Sequence, residues 1–466
     1  MTLIKSISGI RGTIGGKPGE SLTPVDVVKF TAAFGSFLLK RNPSLKKVVI
    51  GRDARISGEI ISGLVSNTLL SLGLDVVDLG LSTTPTVEVA VVKEKASGGI
   101  ILTASHNPIQ WNALKLLNEK GEFISGENGE DILNTAEKED FYFSEVKQLG
   151  HLTLDNTHLK SHIDDILKLE LVDVEAIRKA NFSVVIDAIN STGAIAVPLL
   201  LEALGVKEIK CINSEPNGHF AHNPEPLPKH LGEISNELQK GDFDLGIVVD
   251  PDVDRLAFIC ENGEPFGEEY TLVSIADYVL SKTKEKGQKT VSNLSSTMAL
   301  KDVTEKHGGE YHASAVGEVN VVTKMKEVGA IIGGEGNGGV IYPELHYGRD
   351  ALVGIALFLS NLAHFNKPVG FLRKSYTNYF ISKKKIELDA NMDVDRILEQ
   401  IQVKYKKYPI DVQDGVKILF DKEWVHLRKS NTEPIVRIYA ESEFETTADN
   451  LADKIIQDIK EIMNKQ

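Results

Sequence analysis

The sequence predicts an α/β protein: three similar α/β units with parallel or mixed sheets, followed by a smaller C-terminal α+β domain. Three observations carry this reading. Short apolar runs recur along the chain, each ending in a glycine- or proline-marked turn and each followed by helical periodicity. At 466 residues the chain is too long for a single hydrophobic core, and about three or four domains are expected. After about residue 369 the alternation stops, giving way to Tyr/Phe/Ile-rich segments, the basic run Lys383-Lys384-Lys385 and a closing amphipathic helix. The predicted segments are 1–155, 156–258, 259–369 and 370–466.

The first unit opens with a flexible loop, Gly9-Ile10-Arg11-Gly12-Thr13, and a Gly15-Gly16 pair. Thr23 is placed as an N-cap, Pro24 at the first helical position, and Asp26 complements the helix dipole. Phe30, Phe34, Phe37 and Leu38 repeat at helical spacing and give that helix a buried face. A strand over 47–51 leads into Arg52-Asp53-Ala54-Arg55, and Ser57 begins a helix that Gly73 ends. Residues 75–79 form a strand, and the segment after Thr84-Pro85 is helical to about 95. The run Gly98-Gly99-Ile100-Ile101-Leu102 reads as a buried parallel strand that delivers Ser105 into the turn Ser105-His106-Asn107-Pro108. The polar stretch 118–156 combines a hairpin, a helix and a boundary.

The pattern then restarts twice. Strands over 183–187, 208–212 and 245–249 accompany a helix that begins at Asn190-Ser191-Thr192-Gly193 and ends at Gly205, with a His/Pro-rich loop over 217–228. Next come helices around 269–279 and 296–306, strands over 290–293 and 330–333, a glycine-rich loop, and a helix over 350–363. A strand near 424–427 belongs to the last domain.

Composition bounds the function. Apolar content of 42% and charged content of 25% are those of a globular protein. No apolar run approaches the ~18 residues of a membrane span, and the N-terminus lacks a signal-peptide layout. Cys211 and Cys260 sit in apolar segments and read as reduced core thiols. A cytoplasmic protein without membrane partners is expected. With 52 basic and 66 acidic residues, the net charge is −14 and no stretch longer than the Lys383–Lys385 run reads as a basic tract, which argues against nucleic acid as a partner. If such a protein handles an anionic substrate, it must gather positive charge locally.

Four loops carry chemistry. Ser105 stands at the carboxyl end of a strand, where open α/β sheets place their sites, although a lone serine there also serves simply to cap a turn. In Val249-Asp250-Pro251-Asp252-Val253-Asp254-Arg255, a buried strand ends in three aspartates at alternate positions. Carboxylates so close repel unless a hard cation neutralises them, and oxygen-only ligation favours Mg²⁺ or Ca²⁺. An EF-hand is rejected, because Arg255 holds the position that requires glycine and the flanks are strand-like. Two readings stay open: a phosphatase with Asp250 as nucleophile, or a metal cradle serving a nucleophile elsewhere. Phosphorylated Ser105 would complete such a cradle with a phosphate oxygen. The loop Gly334-Glu335-Gly336-Asn337-Gly338-Gly339 allows close backbone approach and offers acceptor and donor to adjacent hydroxyls, though glycine turns are common. Arg428-Lys429-Ser430-Asn431-Thr432 with Arg437 has phosphate-binding composition, shared with ordinary basic surface turns.

With these four motifs in this order, the chain resembles the α-D-phosphohexomutases from its N-terminal loop to its last domain. The resemblance implies three similar α/β domains and a smaller fourth around a central cleft. It implies that Ser105 is the phosphoserine, and that Asp250, Asp252 and Asp254 hold one Mg²⁺ together with the phosphate on Ser105. Arg11, His106 and Arg255 would lie beside the phosphoserine, and Lys115, in Asn112-Ala113-Leu114-Lys115, is the general acid/base candidate. Glu335 and Asn337 would contact sugar hydroxyls. Arg428, Ser430, Asn431, Thr432 and Arg437 would hold the non-reacting phosphate. The implied reaction is a double transfer through a bound sugar 1,6-bisphosphate, acting on a small phosphosugar in a monomer or homodimer.

Departures from the family pattern narrow the resemblance. The sugar loop commonly reads Glu-x-Ser-Gly-His, whereas Asn337 and Gly339 stand here. His346, seven residues on, reads as a surface residue. These departures resemble the archaeal-type phosphoglucosamine mutase branch, as do Ala315-Val316-Gly317-Glu318-Val319-Asn320 and Tyr347-Gly348-Arg349-Asp350. That branch implies interconversion of glucosamine 6-phosphate and glucosamine 1-phosphate, on the route to UDP-N-acetylglucosamine; phosphomannomutase/phosphoglucomutase activity is the alternative.

Overall fold

Thr23 and Asp26 close a capping box at the start of the helix Pro24–Arg41, each side chain accepting from the other's backbone N–H. That helix buries Phe30, Phe34 and Leu38 against Val48, Ile50, Ile100 and Leu102 of the sheet beside it. The computed structural model describes residues 2–6, 9–387, 393–429 and 435–463. They gather into two units, Met1–Lys282 with Asn337–Leu372, and Thr283–Gly336 with Arg373–Gln466.

The first unit holds a seven-stranded sheet ordered Ile4–Ser6, Gly9–Thr13, Trp111–Leu117, Gly98–Leu102, Lys47–Arg52, Asp75–Leu81, Leu152–Leu154. Lys47–Arg52 runs parallel to both of its neighbours, as strand–helix–strand connections require. Trp111–Leu117 runs antiparallel to Gly98–Leu102, so the parallel sheet read from the sequence is mixed at this edge. The cause is the connection over 103–110. A parallel return needs a crossover of about a dozen residues or more, and the short serine loop can only turn back.

A second sheet in this unit is ordered Leu256–Cys260, Leu245–Val249, Ser183–Asp187, Glu208–Ile212. Its first two strands form an antiparallel pair that brackets the three aspartates. Asp350 caps the apolar helix Ala351–Phe365 through the N–H groups of Leu352 and Val353. Phe358 of that helix stacks on Phe258 with ring centroids 3.7 Å apart.

In the second unit Lys289–Asn293 lies parallel to Glu310–Ser314 and to Ile332–Glu335. The helix expected from 296 begins at Ala299. Ser295 N–H and Ser296 Oγ–H both donate to Asn293 Oδ1, which holds those residues in a turn. The C-terminal segment forms an antiparallel sheet ordered Phe380–Glu387, Ile435–Ser442, Trp424–Lys429, Val416–Leu419, Ile410–Asp411, with the helices Val394–Tyr405 and Glu445–Met463. Ile397, Ile401, Ile455 and Ile459 pack against that sheet as one apolar cluster.

Among the described residues no helix is long and apolar enough to cross a membrane. Both cysteines are free; Cys260 is buried, and burial, with Asp187 nearby, pushes the Cys211 thiol up to about 12. His346 corrects the sequence reading: its side chain is only 11% exposed and lies between Glu88 and Asp350. Burial works against a charge on it, but hydrogen bonds to Asp350 and Glu88 prevail and raise its pKa to about 10.

Candidate active site

Ser105 adopts a left-handed conformation, φ +46°, at the end of a fully buried strand. Such a conformation is costly for a side-chain-bearing residue unless its surroundings impose it. Here they do. Arg55, buried and ion-paired to Asp53 at 3.0 Å, donates to four carbonyl oxygens of the same loop. Nη2 reaches Ser105 O at 2.6 Å and Asn107 O at 2.7 Å, while Nη1 reaches Pro108 O and Trp111 O at 2.8 Å each. Every N–H of the guanidinium is thereby used. Thr103 Oγ1 donates to Asp53 at 2.7 Å and accepts from Ser105 N–H at 2.9 Å, which closes the clamp.

The Ser105 hydroxyl donates to Asp250 Oδ2 at 2.6 Å. Asp250, Asp252 and Asp254 are completely buried, and their ligand oxygens all lie within 4.8 Å of one another. Val253, buried and β-branched, sits between two of them at φ +62°, a strained position for such a residue. Asp250 Oδ1 accepts from the N–H groups of Asp254 and Arg255. Asp252 Oδ2 accepts from Thr84 Oγ1 at 2.6 Å and from Lys115 Nζ at 2.7 Å. Asp254 Oδ2 accepts from Arg349 Nη2 at 2.7 Å and from Lys115 at 3.3 Å.

Burial and the two neighbouring carboxylates push the Asp250 pKa well up. Burial pushes Asp252 the same way, but Lys115 and Thr84 overcome it and hold that carboxyl low. Lys115 is the mirror case: burial opposes its charge, and Asp252 and Asp254 raise its pKa nonetheless. Asp252 Oδ1 and Asp254 Oδ1 are buried without a hydrogen-bond partner among the described residues. Orphaned oxygens of this kind are costly. Two of them beside a third carboxylate form an all-oxygen donor set that fits a hard divalent cation.

The remaining candidates fall around this centre or in the second unit. His106 Nδ1 is 3.5 Å from Ser105 Oγ, and burial together with Arg255 pushes its pKa well down, so the ring is neutral. Arg255 is buried with its guanidinium 3.8 Å from Glu225. Arg11 lies on the strand paired to the one that carries Lys115, in register with Ala113. Asn337 Oδ1 accepts from Gly339 N–H at 3.2 Å. In the second unit Glu335 Oε1 accepts from Asn293 Nδ2 and Gly317 N–H. Arg428 pairs with Asp414 at 2.7 Å and stands in register with Arg437 on the neighbouring strand. Ser430, Asn431 and Thr432 lie outside the described residues.

Arg349, Thr84 and the Asp53–Arg55 clamp were not singled out as site residues by the sequence. Thr84 signalled only a helix start, and Arg55 only a polar turn after a strand. Arg349 contributed to the branch resemblance without a role. Each acts through tertiary contacts that no local pattern encodes.

A serine hydrogen-bonded into a buried three-aspartate loop on an α/β scaffold is the architecture of a phosphoryl-transfer enzyme. The models for phosphoglucomutase/phosphomannomutase match throughout: alpha/beta/alpha domain I over residues 3–143, domain II over 160–263, domain III over 267–379, and the C-terminal domain over 384–457. The chain belongs to this family and is a phosphohexomutase, an isomerase that moves a phosphoryl group within a sugar phosphate. A phosphoglucomutase/phosphomannomutase of Thermococcus kodakarensis is 35% identical over 444 residues, covering 94% of this chain and 95% of its own. A phosphoglucosamine/phosphogalactosamine mutase of Sulfurisphaera tokodaii is 32% identical over 457 residues, covering 96% and 97%. Among solved structures, a phosphoglucomutase/phosphomannomutase family protein from Burkholderia thailandensis has the same fold, with a TM-score of 0.84 at 24% identity and 98% of both chains covered. Archaeal relatives named phosphoglucosamine mutase or probable phosphoglucosamine mutase are 30–33% identical to this chain.

Proposed function

We propose that the chain interconverts glucosamine 6-phosphate and glucosamine 1-phosphate through a phosphoserine at Ser105 and a bound sugar 1,6-bisphosphate. The observation that carries this reading is the 2.6 Å hydrogen bond from Ser105 Oγ to Asp250 Oδ2, within reach of two further carboxylates and one lysine. It supports the reading because Asp250 belongs to the only all-aspartate group, among the described residues, that could hold a metal ion.

In the forward half-reaction the phosphorus–Oγ bond of phosphoserine breaks and a bond to the free sugar hydroxyl forms. The hydroxyl proton goes to a base. The leaving Ser105 Oγ takes up a proton; in the second half-reaction the Ser105 hydroxyl gives that proton up, its oxygen forms a bond to the other phosphorus of the bisphosphate, and the bond from that phosphorus to the sugar oxygen breaks as the sugar oxygen is protonated. Asp250, Asp252 and Asp254 would hold Mg²⁺, which when bound polarises the phosphorus–oxygen bond. Lys115 is held charged by Asp252 and Asp254; once those carboxylates are otherwise neutralised, its proton affinity falls towards the range of a general base. Arg255 and Arg11 would offset the charge of the phosphoserine. His106, neutral in its buried setting, would pack beside it. Glu335 and Asn337 would bind sugar hydroxyls. Arg428 and Arg437, with Ser430, Asn431 and Thr432, would grip the phosphate that is not reacting, whichever end of the sugar carries it. The segments 1–155, 156–258, 259–369 and 370–466 would each contribute one of these groups, in a monomer or homodimer in the cytoplasm.

Ser105→Ala tests the mechanism. It abolishes exchange between the 1- and 6-phosphates and removes the added phosphate mass from the Ser105 peptide. Retained activity in Ser105→Ala with loss in Asp250→Asn would instead mark an aspartate-nucleophile phosphatase. The second substrate reading rests on the 35% identical phosphoglucomutase/phosphomannomutase. Turnover of glucosamine, mannose and glucose phosphates decides between them, and equal or faster reaction of mannose 1-phosphate overturns the glucosamine reading.

A further inference from the structure

A second convergent group lies in the first unit, outside the machinery assigned above. His162, on the helix His158–Ile166, and His346 both bring Nε2 to one oxygen, Asp350 Oδ2, at 3.0 and 3.3 Å. Ligand atoms of the three residues lie within 4.8 Å of one another, and the two rings stand at 80° with centroids 6.0 Å apart. His162 and Asp350 are fully buried.

The far side of each ring is also held. His162 Nδ1 is 3.0 Å from Thr86 Oγ1, and His346 Nδ1 is 3.3 Å from Glu88 Oε2, itself buried. Asp350 Oδ1 is committed to capping Leu352 and Val353, which leaves Oδ2 alone facing the rings. Two imidazole nitrogens and one carboxylate oxygen thus converge; the other nitrogen of His162 is hydrogen-bonded to Thr86, and that of His346 is in ion-pair contact with Glu88. This is how histidines that ligate metals are held: the outer oxygen fixes the tautomer and the inner nitrogen is presented. Coordination through Nε2 displaces the proton that His346 otherwise carries towards Asp350 and leaves each ring's remaining proton on Nδ1, facing Thr86 in His162 and Glu88 in His346.

We propose that His162, His346 and Asp350 form a second metal site, for a borderline divalent ion of the Zn²⁺ class, with Thr86 and Glu88 as its outer shell. The donor set gives the selectivity. Two imidazoles and one carboxylate suit Zn²⁺ and its transition-metal neighbours, whereas the aspartate loop, all oxygen, suits Mg²⁺. The two carboxylates of the cluster, Glu88 and Asp350, balance the charge of a dication. The site has a structural consequence for catalysis. Residue 349 lies between two of its members, so pinning His346 and Asp350 fixes the segment from which Arg349 reaches Asp254.

The test uses the full chain, treated with a chelator and then titrated with ZnCl₂ in the presence of excess MgCl₂, which occupies oxygen-only ligands. One equivalent of tightly held Zn²⁺ is expected, with a rise in the thermal midpoint. Asp254→Asn keeps that equivalent, and the His162→Gln/His346→Gln double variant loses it. Thr86→Val, which leaves the three ligands in place, weakens Zn²⁺ binding about 10- to 100-fold and keeps the test informative should the double variant fail to fold. No Zn²⁺ uptake by the parent protein under these conditions, or unchanged uptake by the double variant, overturns the proposal. Because the readout is binding and not turnover, its failure is distinct from a failure of the mutase reading.

Discussion

The stem of Arg349 lies against the α-carbon of Gly339: a Cβ built on Gly339 would stand 2.3 Å from Arg349 Cδ and 3.0 Å from Cγ. From there Arg349 donates to Asp254 at 2.7 Å. The missing side chain at 339 and the arginine at 349 are therefore one structural arrangement. The histidine that the family pattern would place at 339 has no room while Arg349 keeps this path. Nor does Arg349 replace a proton carrier, since a guanidinium stays charged at any working pH; it fixes a carboxylate.

Gly339→His is accordingly expected to cost about 1–3 kcal/mol through overpacking and to displace Arg349 from Asp254. Adding Arg349→Gly removes the obstruction, so the double variant should unfold at a higher temperature than Gly339→His alone. Such non-additivity is the signature of residues that share one space. Thermal unfolding of the four proteins in this cycle, with mutase rates alongside, measures it; strictly additive effects would refute the coupling.

Arg55→Lys should be costly although it conserves charge. The guanidinium satisfies Asp53 and four carbonyls at once, and a lysine offers three donors without the planar fork. The carbonyls left over belong to the serine loop itself; that of Ser105 is buried and those of Asn107, Pro108 and Trp111 are part-buried. A loss of about 3–5 kcal/mol is expected, as for other disrupted buried ion pairs. Since Arg55 bonds the backbone that aims Ser105, kcat should fall further than KM rises. Denaturant unfolding and steady-state kinetics on the same preparations check both effects.

How much of this was legible in the sequence follows from where each signal resides. Ser105 and the three aspartates could be read because strand, turn and functional residue are contiguous, and the turn residues themselves announce the end of the strand. The N-cap at Thr23 was legible for the same reason, whereas the reciprocal bond from Asp26 that makes it a capping box was not read. His346 was misread as a surface residue because its two partners, Glu88 and Asp350, lie on different elements and its burial depends on both. Thr84 had an adequate local explanation as a helix opener, which hid its bond to Asp252. The strand Trp111–Leu117 was missed because its apolar residues follow directly on a loop whose length forces an antiparallel return. Local chemistry is written in the chain, whereas the side chains that orient it become visible only after folding.

Thr84→Val offers a near-isosteric probe of that hidden layer. The hydroxyl donates to Asp252 Oδ2, the oxygen that Lys115 also holds. Without it, the carboxylate loses one of its two side-chain donors and some of its fixed orientation. Mg²⁺ dependence of turnover should shift to about 10- to 100-fold higher concentration, with the fold intact by circular dichroism. An unchanged Mg²⁺ requirement would show that Thr84 does not govern metal binding at the aspartate loop.

A pH effect is expected from the second unit. His426 is 1% exposed, with Nδ1 2.9 Å from Ser295 Oγ and Nε2 2.6 Å from the carbonyl of Asp414. Burial is the main cause that lowers its pKa to about 4; Lys417 and Arg428 add to it, and the Asp414 carbonyl opposes it. A histidine that stays neutral in the native state contributes stability above its unfolded pKa of about 6.5. As the pH falls below that value the unfolded chain takes up a proton that the folded chain refuses, so stability declines, and the decline levels off once the pH passes below about 4. Glu441, pushed up to about 7 mainly by burial, contributes a slope of the opposite sign over the same window, so the share of His426 in the slope between pH 6.5 and 4.5 is read by difference. Replacing His426 with Asn, which cannot titrate, should remove that share. Urea unfolding at half-unit pH steps measures it for both proteins, and parallel stability curves for the two would show that His426 titrates normally in the native state.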